Sequence, residues 1–258
     1  MSEQLLSVCE LTLRFGAVTA FRDVSFDVAR GELFAVIGPN GAGKSSLFNA
    51  LSRVYEPDSG SVRFEGEDFL RLRAHELARI GIARSFQNLG VFPQLTVVEN
   101  VMIGRHHLMR AGALRGGLGL ARGEERRHRA AAIDALRFVD IEHLAELRVG
   151  TLPYGLQKRV EFARCLAMEP RLMLLDEPVA GMDAAERAQI TDLIRRAHAE
   201  RDLTLLLVEH DMGMVMKVAQ RILVLDFGEP IAIGTPLQIQ RDARVIRAYL
   251  GEQPEVAA

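Results

Sequence analysis

Eight consecutive residues, Gly38-Pro39-Asn40-Gly41-Ala42-Gly43-Lys44-Ser45, satisfy the pattern G-x-x-x-x-G-K-[ST]. Such a run can grip the phosphates of a nucleotide. Glycines let successive backbone N–H groups curl round an anion, and a helix starting at the lysine adds the positive end of its dipole. Lys44 can reach the β- and γ-phosphates, the Ser45 hydroxyl can ligate Mg²⁺, and Ser46 follows in the first helical turn. A chance glycine loop is the alternative. At average residue usage that pattern arises in a chain of this length with odds on the order of one per cent. Two further sites carry groups able to act on a bound phosphate. Leu172-Met173-Leu174-Leu175 runs into Asp176-Glu177-Pro178, and Leu205-Leu206-Leu207-Val208 runs into Glu209-His210-Asp211. Asp176 can hold Mg²⁺ or its water, and Glu177 can orient or deprotonate an attacking water. His210 can hydrogen-bond a γ-phosphate or that water; a structural histidine is the alternative.

The elements around these residues place them at one edge. Leu33–Ile37 is an apolar run before the glycine loop, and the chain restarts as a helix at Lys44, giving strand, loop and helix in the order phosphate binding needs. Arg171–Leu175 and Leu203–Val208 read as fully buried strands. Helical stretches at Gly155–Met168 and Ala184–Ala199 alternate with them, which predicts a parallel sheet with right-handed crossovers. In such sheets ligands sit at the carboxyl ends of strands, where Asp176, Glu177 and His210 fall. Ser7–Phe15, Val24–Ala29 and Ser61–Phe64 alternate as half-buried antiparallel strands. Ala74–Gly104 reads as helical, with Thr96 and Glu99 forming a capping box. Arg105–Arg129, rich in Arg, His and Gly, reads as a solvated loop and helix face, with a partner contact surface as the alternative; it lacks the aromatic interleaving of a nucleic-acid arm. Ala130–Val139 resumes as an amphipathic helix. Ile222–Leu225 and Ile231–Ile233 read as short strands, and Asp242–Leu250 as a closing helix.

Composition narrows the classes. The 258 residues suffice for one large α/β domain, and a formal net charge of −2 argues against nucleic acid or anionic lipid as partners. Cys9 and Cys165 are isolated, which fits a reducing compartment and carries neither a metal nor a disulfide signal. No apolar run approaches the roughly 18 residues of a membrane span, and Met1–Gln4 begins no leader sequence. The expectation is a cytosolic protein that touches a membrane only through a partner.

Together these motifs resemble the ATP-binding cassette (ABC) family, over Leu6 to Leu250. The resemblance implies a phosphate-loop NTPase fold of class α/β: a mainly parallel core sheet, an antiparallel β subdomain and a helical subdomain. It implies one ABC ATPase domain over 1–258, with 1–87 and 161–258 as core and 88–160 as the helical subdomain. Gly38–Ser45 matches the family's phosphate loop, Leu172–Asp176 its Mg²⁺-binding strand and Glu177 its catalytic glutamate. Gln87 matches the glutamine that joins Mg²⁺ and water to the helical subdomain, Asp183 the dimer-contact loop, and His210 the switch histidine. Phe15 matches the aromatic that stacks on adenine, where Tyr is usual. The implied cofactors are ATP and Mg²⁺.

One motif departs. In place of Leu-Ser-Gly-Gly-Gln the chain has Leu152-Pro153-Tyr154-Gly155-Leu156, followed by Gln157. The missing serine would bond the γ-phosphate held by an opposite subunit, and Pro153 has neither hydroxyl nor N–H. Gly155 and the helix start behind it can still offer amides, so Tyr154 and Gly155 remain candidates for contact across a dimer. The Pro-Tyr-Gly form, the Arg/Gly insertion and the ending Val245–Gly251 are similar to the ATPase subunits of branched-chain amino-acid importers. Lipopolysaccharide exporter subunits share parts of this pattern but usually lack the insertion; ABC ATPases acting on ribosomes or DNA usually carry two cassettes or a coiled coil. The resemblance implies integral membrane permease subunits and a second ATPase subunit as partners, a heterodimer being favoured over a homodimer. It also implies a periplasmic or extracellular solute-binding protein acting indirectly, and a place on the cytoplasmic face of the plasma membrane.

Overall fold

The computed structural model describes residues 3–85, 90–109 and 121–250. Chain contacts divide it into two compact units, one made of 1–74, 174–177 and 194–258, the other of 75–173 and 178–193.

The first unit opens with strands β1 (Gln4–Phe15) and β2 (Val18–Ala29), joined by the two-residue turn Gly16-Ala17 and paired antiparallel. β2 begins six residues before the alternating stretch at Val24, because Val18–Ala20 pairs with the end of β1 although its pattern is irregular. β3 (Leu33–Ile37) leads into the glycine loop and helix α1 (Lys44–Leu51). β4 (Ser59–Phe64) and β5 (Glu67–Asp68) complete an antiparallel sheet in the order β2-β1-β4-β5.

Chain order next passes through the second unit. A 3₁₀ segment over Ala74–Ile80 precedes β6 (Ile82–Arg84), so the stretch expected to be wholly helical contains a strand. Gly81 explains it: its carbonyl accepts the amides of Arg171 (2.7 Å) and Leu172 (3.1 Å), which docks this segment beside the next buried strand. Helix α2 (Val97–Gly104) starts at Thr96 with the expected capping box, Glu99 reaching back to the Thr96 amide at 2.7 Å. Buried Asn100 fixes the loop before it, accepting from the Phe92 amide (2.8 Å) and donating to the Phe92 carbonyl (3.0 Å). Helices α3 (Ala121–Phe138) and α4 (Tyr154–Ala167) pack with α2 into a three-helix cluster.

Arg105 and His128 correct the reading of their stretch as solvated. Both are buried: Arg105 donates to His128 Nδ1 at 3.0 Å and to the Ala167 carbonyl at 2.6 Å, tying the end of α2 to α3 and α4. The rest of the Arg/Gly insertion, 110–120, lies outside the described residues.

β7 (Leu172–Asp176) is followed by α5 (Ala184–Arg201), β8 (Thr204–Val208), α6 (Met212–Val218), β9 (Arg221–Asp226), β10 (Glu229–Gly234), α7 (Pro236–Arg241) and α8 (Ala243–Leu250). In the first unit the core sheet runs β10-β9-β3-β8-β7, with β3 parallel to both β8 and β9 and β10 antiparallel to β9. Every residue of β3, β7 and β8 is buried, as strands covered on both faces require. Each fully buried Leu or Val contributes on the order of 2 kcal/mol, so this sheet is a rigid base for the loops at its carboxyl edge. Among the described residues no helix is long and apolar enough to cross a membrane.

Candidate active site

The glycine loop owes its shape to two positions without side chains. Gly38 has φ +153°, and a Cβ there would stand 2.1 Å from the Leu225 carbonyl of β9. Gly43 has φ +92°, and a Cβ would stand 2.4 Å from the Ala20 carbonyl of β2. Only glycine lets the loop lie against both strands. The loop's last residues begin α1, whose first turn carries no acidic side chain to compete with a bound anion. The Lys44 ammonium donates to the carbonyls of Gly38 (2.7 Å) and Pro39 (2.8 Å), two of its three N–H groups. Burial lowers the Lys44 pKa, and the nearby charge of Glu177 partly opposes that shift.

A cavity of about 360 Å³ opens over this loop. Phe15, 47% exposed, stands on its wall with Asn40–Ser46 and Glu177. Val18, Thr19 and Ala20 of β2 also line it and carried no sequence signal of their own, since their small side chains fit no clean alternation. The two-residue Gly16-Ala17 hairpin is the feature from which that strand start could have been read.

Asp176, the last residue of β7, is buried. Glu177 follows in the left-handed region at φ +46°, with its amide donating to the Val208 carbonyl at 2.9 Å, so the ends of β7 and β8 are tied together. A non-glycine residue held there costs on the order of 1 kcal/mol, and such strain gathers at functional positions. The Glu177 side chain is 18% exposed, and its Oε2 lies 3.9 Å from His210 Nδ1. That distance allows charge attraction without a direct hydrogen bond. Buried Glu209 organises the turn, its Oε2 accepting the amides of His210 (2.8 Å) and Asp211 (3.1 Å). Asp211 caps α6 through the Met214 amide at 2.9 Å. His210 is thereby presented to solvent beside Glu177 by a turn whose other two side chains are both committed to backbone.

The first unit thus brings Phe15, the phosphate loop, Glu177 and His210 to one side of the sheet. Tyr249 of α8 adds a residue that site reasoning missed. Burial pushes its pKa up to about 12, and the Gly38 amide near its hydroxyl partly opposes that shift. The amphipathic end of the chain offered no sign of that contact.

The remaining candidates belong to the second unit. Tyr154 opens α4, with Pro153 as its N-cap, and donates to the Ala180 carbonyl at 3.3 Å. A Cβ on Gly155 would stand 2.6 Å from Glu186 Oε1, so the carboxylate occupies the space beside that glycine. Asp183 caps α5, accepting the amides of Ala185 and Glu186 at 2.8 Å each, and Glu186 accepts from the Asp183 amide at 3.2 Å. Asp183 is exposed, so the cap leaves it at the surface. Gln87 lies outside the described residues.

A family model described as "ABC transporter" matches residues 21–180, and one described as "Branched-chain amino acid ATP-binding cassette transporter" matches residues 229–255. The chain is 40% identical over 254 residues to the high-affinity branched-chain amino acid transport ATP-binding protein BraF of Pseudomonas aeruginosa, covering 98% of this chain and 100% of that one. It is similar to the ADP conformation of MJ1267, an ATP-binding cassette of an ABC transporter: TM-score 0.85, 29% identity, 97% of this chain and 100% of that one. It is also similar to a dimeric post-hydrolysis cassette, MJ0796 with ADP and Pi: TM-score 0.76, 27% identity, 90% of this chain and 99% of the other.

Proposed function

Because the chain belongs to the ABC transporter family, we propose that it is the ATP-hydrolysing subunit of a membrane importer for branched-chain amino acids or related small solutes. ATP hydrolysis coupled to transport is the activity of that family. One observation carries the assignment to this chain's residues: a single cavity has an aromatic ring, the phosphate loop and the Glu177 carboxylate on its wall.

The ring of Phe15 offers a face on which adenine stacks, and the loop amides with Lys44 take the phosphates. Ser45 and Asp176 are hard oxygen donors, the kind that suits Mg²⁺ held mainly through substrate phosphates, and among the described residues no group of three His, Cys, Asp or Glu competes with them. Held there, Mg²⁺ would supply charge neutralisation on the phosphates. Glu177 orients a water in line with the γ-phosphorus and takes its proton as the bond to the β-phosphate oxygen breaks, leaving ADP and phosphate. His210, beside Glu177, donates to a γ-phosphate oxygen. Lys44 neutralises charge on the transferred group; the work is positioning and electrostatics.

The second half of each site comes from the Tyr154–Gly155 region and Asp183 of an opposing ATPase subunit, a heterodimeric partner being favoured. The dimeric relative with ADP and Pi supports pairing of two cassettes. A groove beside Gln87 and the helical segment 88–101 carries the motion to permease subunits at the cytoplasmic face of the membrane. Glu177→Gln tests the chemical step. It is expected to bind ATP as wild type does in calorimetry, while phosphate release falls by about 10²- to 10⁴-fold. Wild-type turnover would remove Glu177 from the mechanism.

A further inference from the structure

Outside the cavity wall, a second aromatic ring stands against Phe15. The Tyr55 and Phe15 centroids are 5.1 Å apart at an interplanar angle of 79°, an edge-to-face pair in which both rings remain partly exposed. Neither ring belongs to the packed core, so core formation does not account for the pair.

The backbone around Tyr55 is fixed from both sides. Helix α1 ends with Arg53 in the left-handed region at φ +59°. The Arg53 amide bonds the Ala50 carbonyl (3.0 Å), and the Val54 amide bonds the Asn49 carbonyl (2.8 Å). These are the two bonds of a Schellman terminus, and the Tyr55 amide adds a third to Asn49 at 3.1 Å. Just beyond, Asp58 clasps the end of β1. Its amide donates to the Thr12 carbonyl at 2.9 Å, and its Oδ2 accepts from the Arg14 amide at 2.6 Å. The strand that carries Phe15 and the turn that carries Tyr55 are therefore locked to each other immediately beside the two rings.

We infer that Tyr55 is a positioning residue for the adenine platform. Its ring holds Phe15 in the orientation that presents one face to the base. The inference rests on the reading of Phe15 as the adenine-stacking residue. Edge-to-face contact leaves a ring's opposite face available, which a stacked neighbour would cover. Helix α1 thereby serves both ends of one ligand: Lys44 and Ser45 meet the phosphates at its start, and Tyr55 sets the base platform just past its end. The pair is one of ring against ring, which Tyr55→Phe keeps.

Calorimetry of the full chain with ATP and, separately, with inorganic triphosphate tests this. Tyr55→Ala is expected to weaken ATP binding by about threefold to tenfold and to leave triphosphate binding unchanged, with Tyr55→Phe restoring ATP affinity. An unchanged ATP affinity in Tyr55→Ala would overturn the inference. So would a loss shared equally by ATP and triphosphate, which would mean that the turn and the phosphate loop had been disturbed together. Phe15→Ala separates the two levels. If it lowers ATP affinity while Tyr55→Ala does not, only the positioning role fails. If it leaves ATP affinity unchanged, adenine stacking on Phe15 fails and the positioning role with it.

Discussion

Lys44 carries its charge in a buried place, and the structure shows what that requires. Two loop carbonyls hold the ammonium, and burial lowers its pKa. A neutral side chain there removes the one positive charge at the centre of the loop. Lys44→Ala is expected to lose most nucleotide affinity while melting within about 1 kcal/mol of wild type; unchanged ATP binding in calorimetry would contradict the site. The cysteines divide in a similar way. Cys9 is exposed, whereas burial pushes the Cys165 thiol up to about 12. A maleimide at pH 7.5 should therefore modify Cys9 in the folded protein and reach Cys165 only after denaturation, which mass spectrometry of the labelled peptides would show. Glu177 holds a conformation that glycine would take without strain. Glu177→Gly is expected to be more stable than Glu177→Gln by about 1 kcal/mol in denaturant titration, although both are expected to hydrolyse ATP far more slowly than wild type. Residues whose placement follows from local pattern, such as Lys44 and Ser45 at the start of α1, were legible in the sequence. The strain at Glu177 and the burial of Arg105 against His128 were not, because distant segments impose them.

Elements were legible where their stabilisation is local. Thr96 and Glu99 announce the start of α2, and all the bonds of the capping box are present. Thr96→Ala should cost about 1 kcal/mol in thermal unfolding. The Glu99 carboxylate accepts from Thr96, whose amide and then hydroxyl hold its pKa below the ordinary glutamate value. A depressed folded-state pKa contributes stability above the unfolded-state value, near 4.3, and loses it as pH falls through the folded-state value. The stability gap between wild type and Glu99→Ala should accordingly be present at pH 7 and narrow below pH 4. β6 shows the opposite case. Three residues carry too little periodicity to mark a strand, and only the Gly81 carbonyl, paired with a segment far along the chain, makes them one. The same holds for α6 and α7, whose short helices depend on caps at Asp211 and Thr235 more than on amphipathic pattern.

For the molecule as a whole, the order of buried strands and intervening helices was enough to name the fold class, since β3, β7 and β8 are apolar but for Asp176 and Thr204 at two of their ends. The division of the chain into two units was harder to see. Both units are discontinuous in sequence, and β7 and α5 each contribute residues to the two. A boundary that cuts through regular elements leaves no linker, no run of Gly or Pro and no change in composition. The active site escapes this difficulty because its phosphate-binding half is assembled inside one unit. Tyr249 of α8 adds a neighbour to the loop, close enough for the Gly38 amide to act on its phenol. Ligand stabilisation of the phosphate loop therefore extends to the closing helix. ATP at a hundredfold excess over its Kd stabilises the native state by about 2.7 kcal/mol, and part of that should be read at α8 as slowed amide hydrogen exchange. Tyr249→Phe should weaken the response in α8 while sparing it in α1. The final helix is thus a built-in gauge of occupancy, readable by isotope uptake in a peptide that never touches the nucleotide.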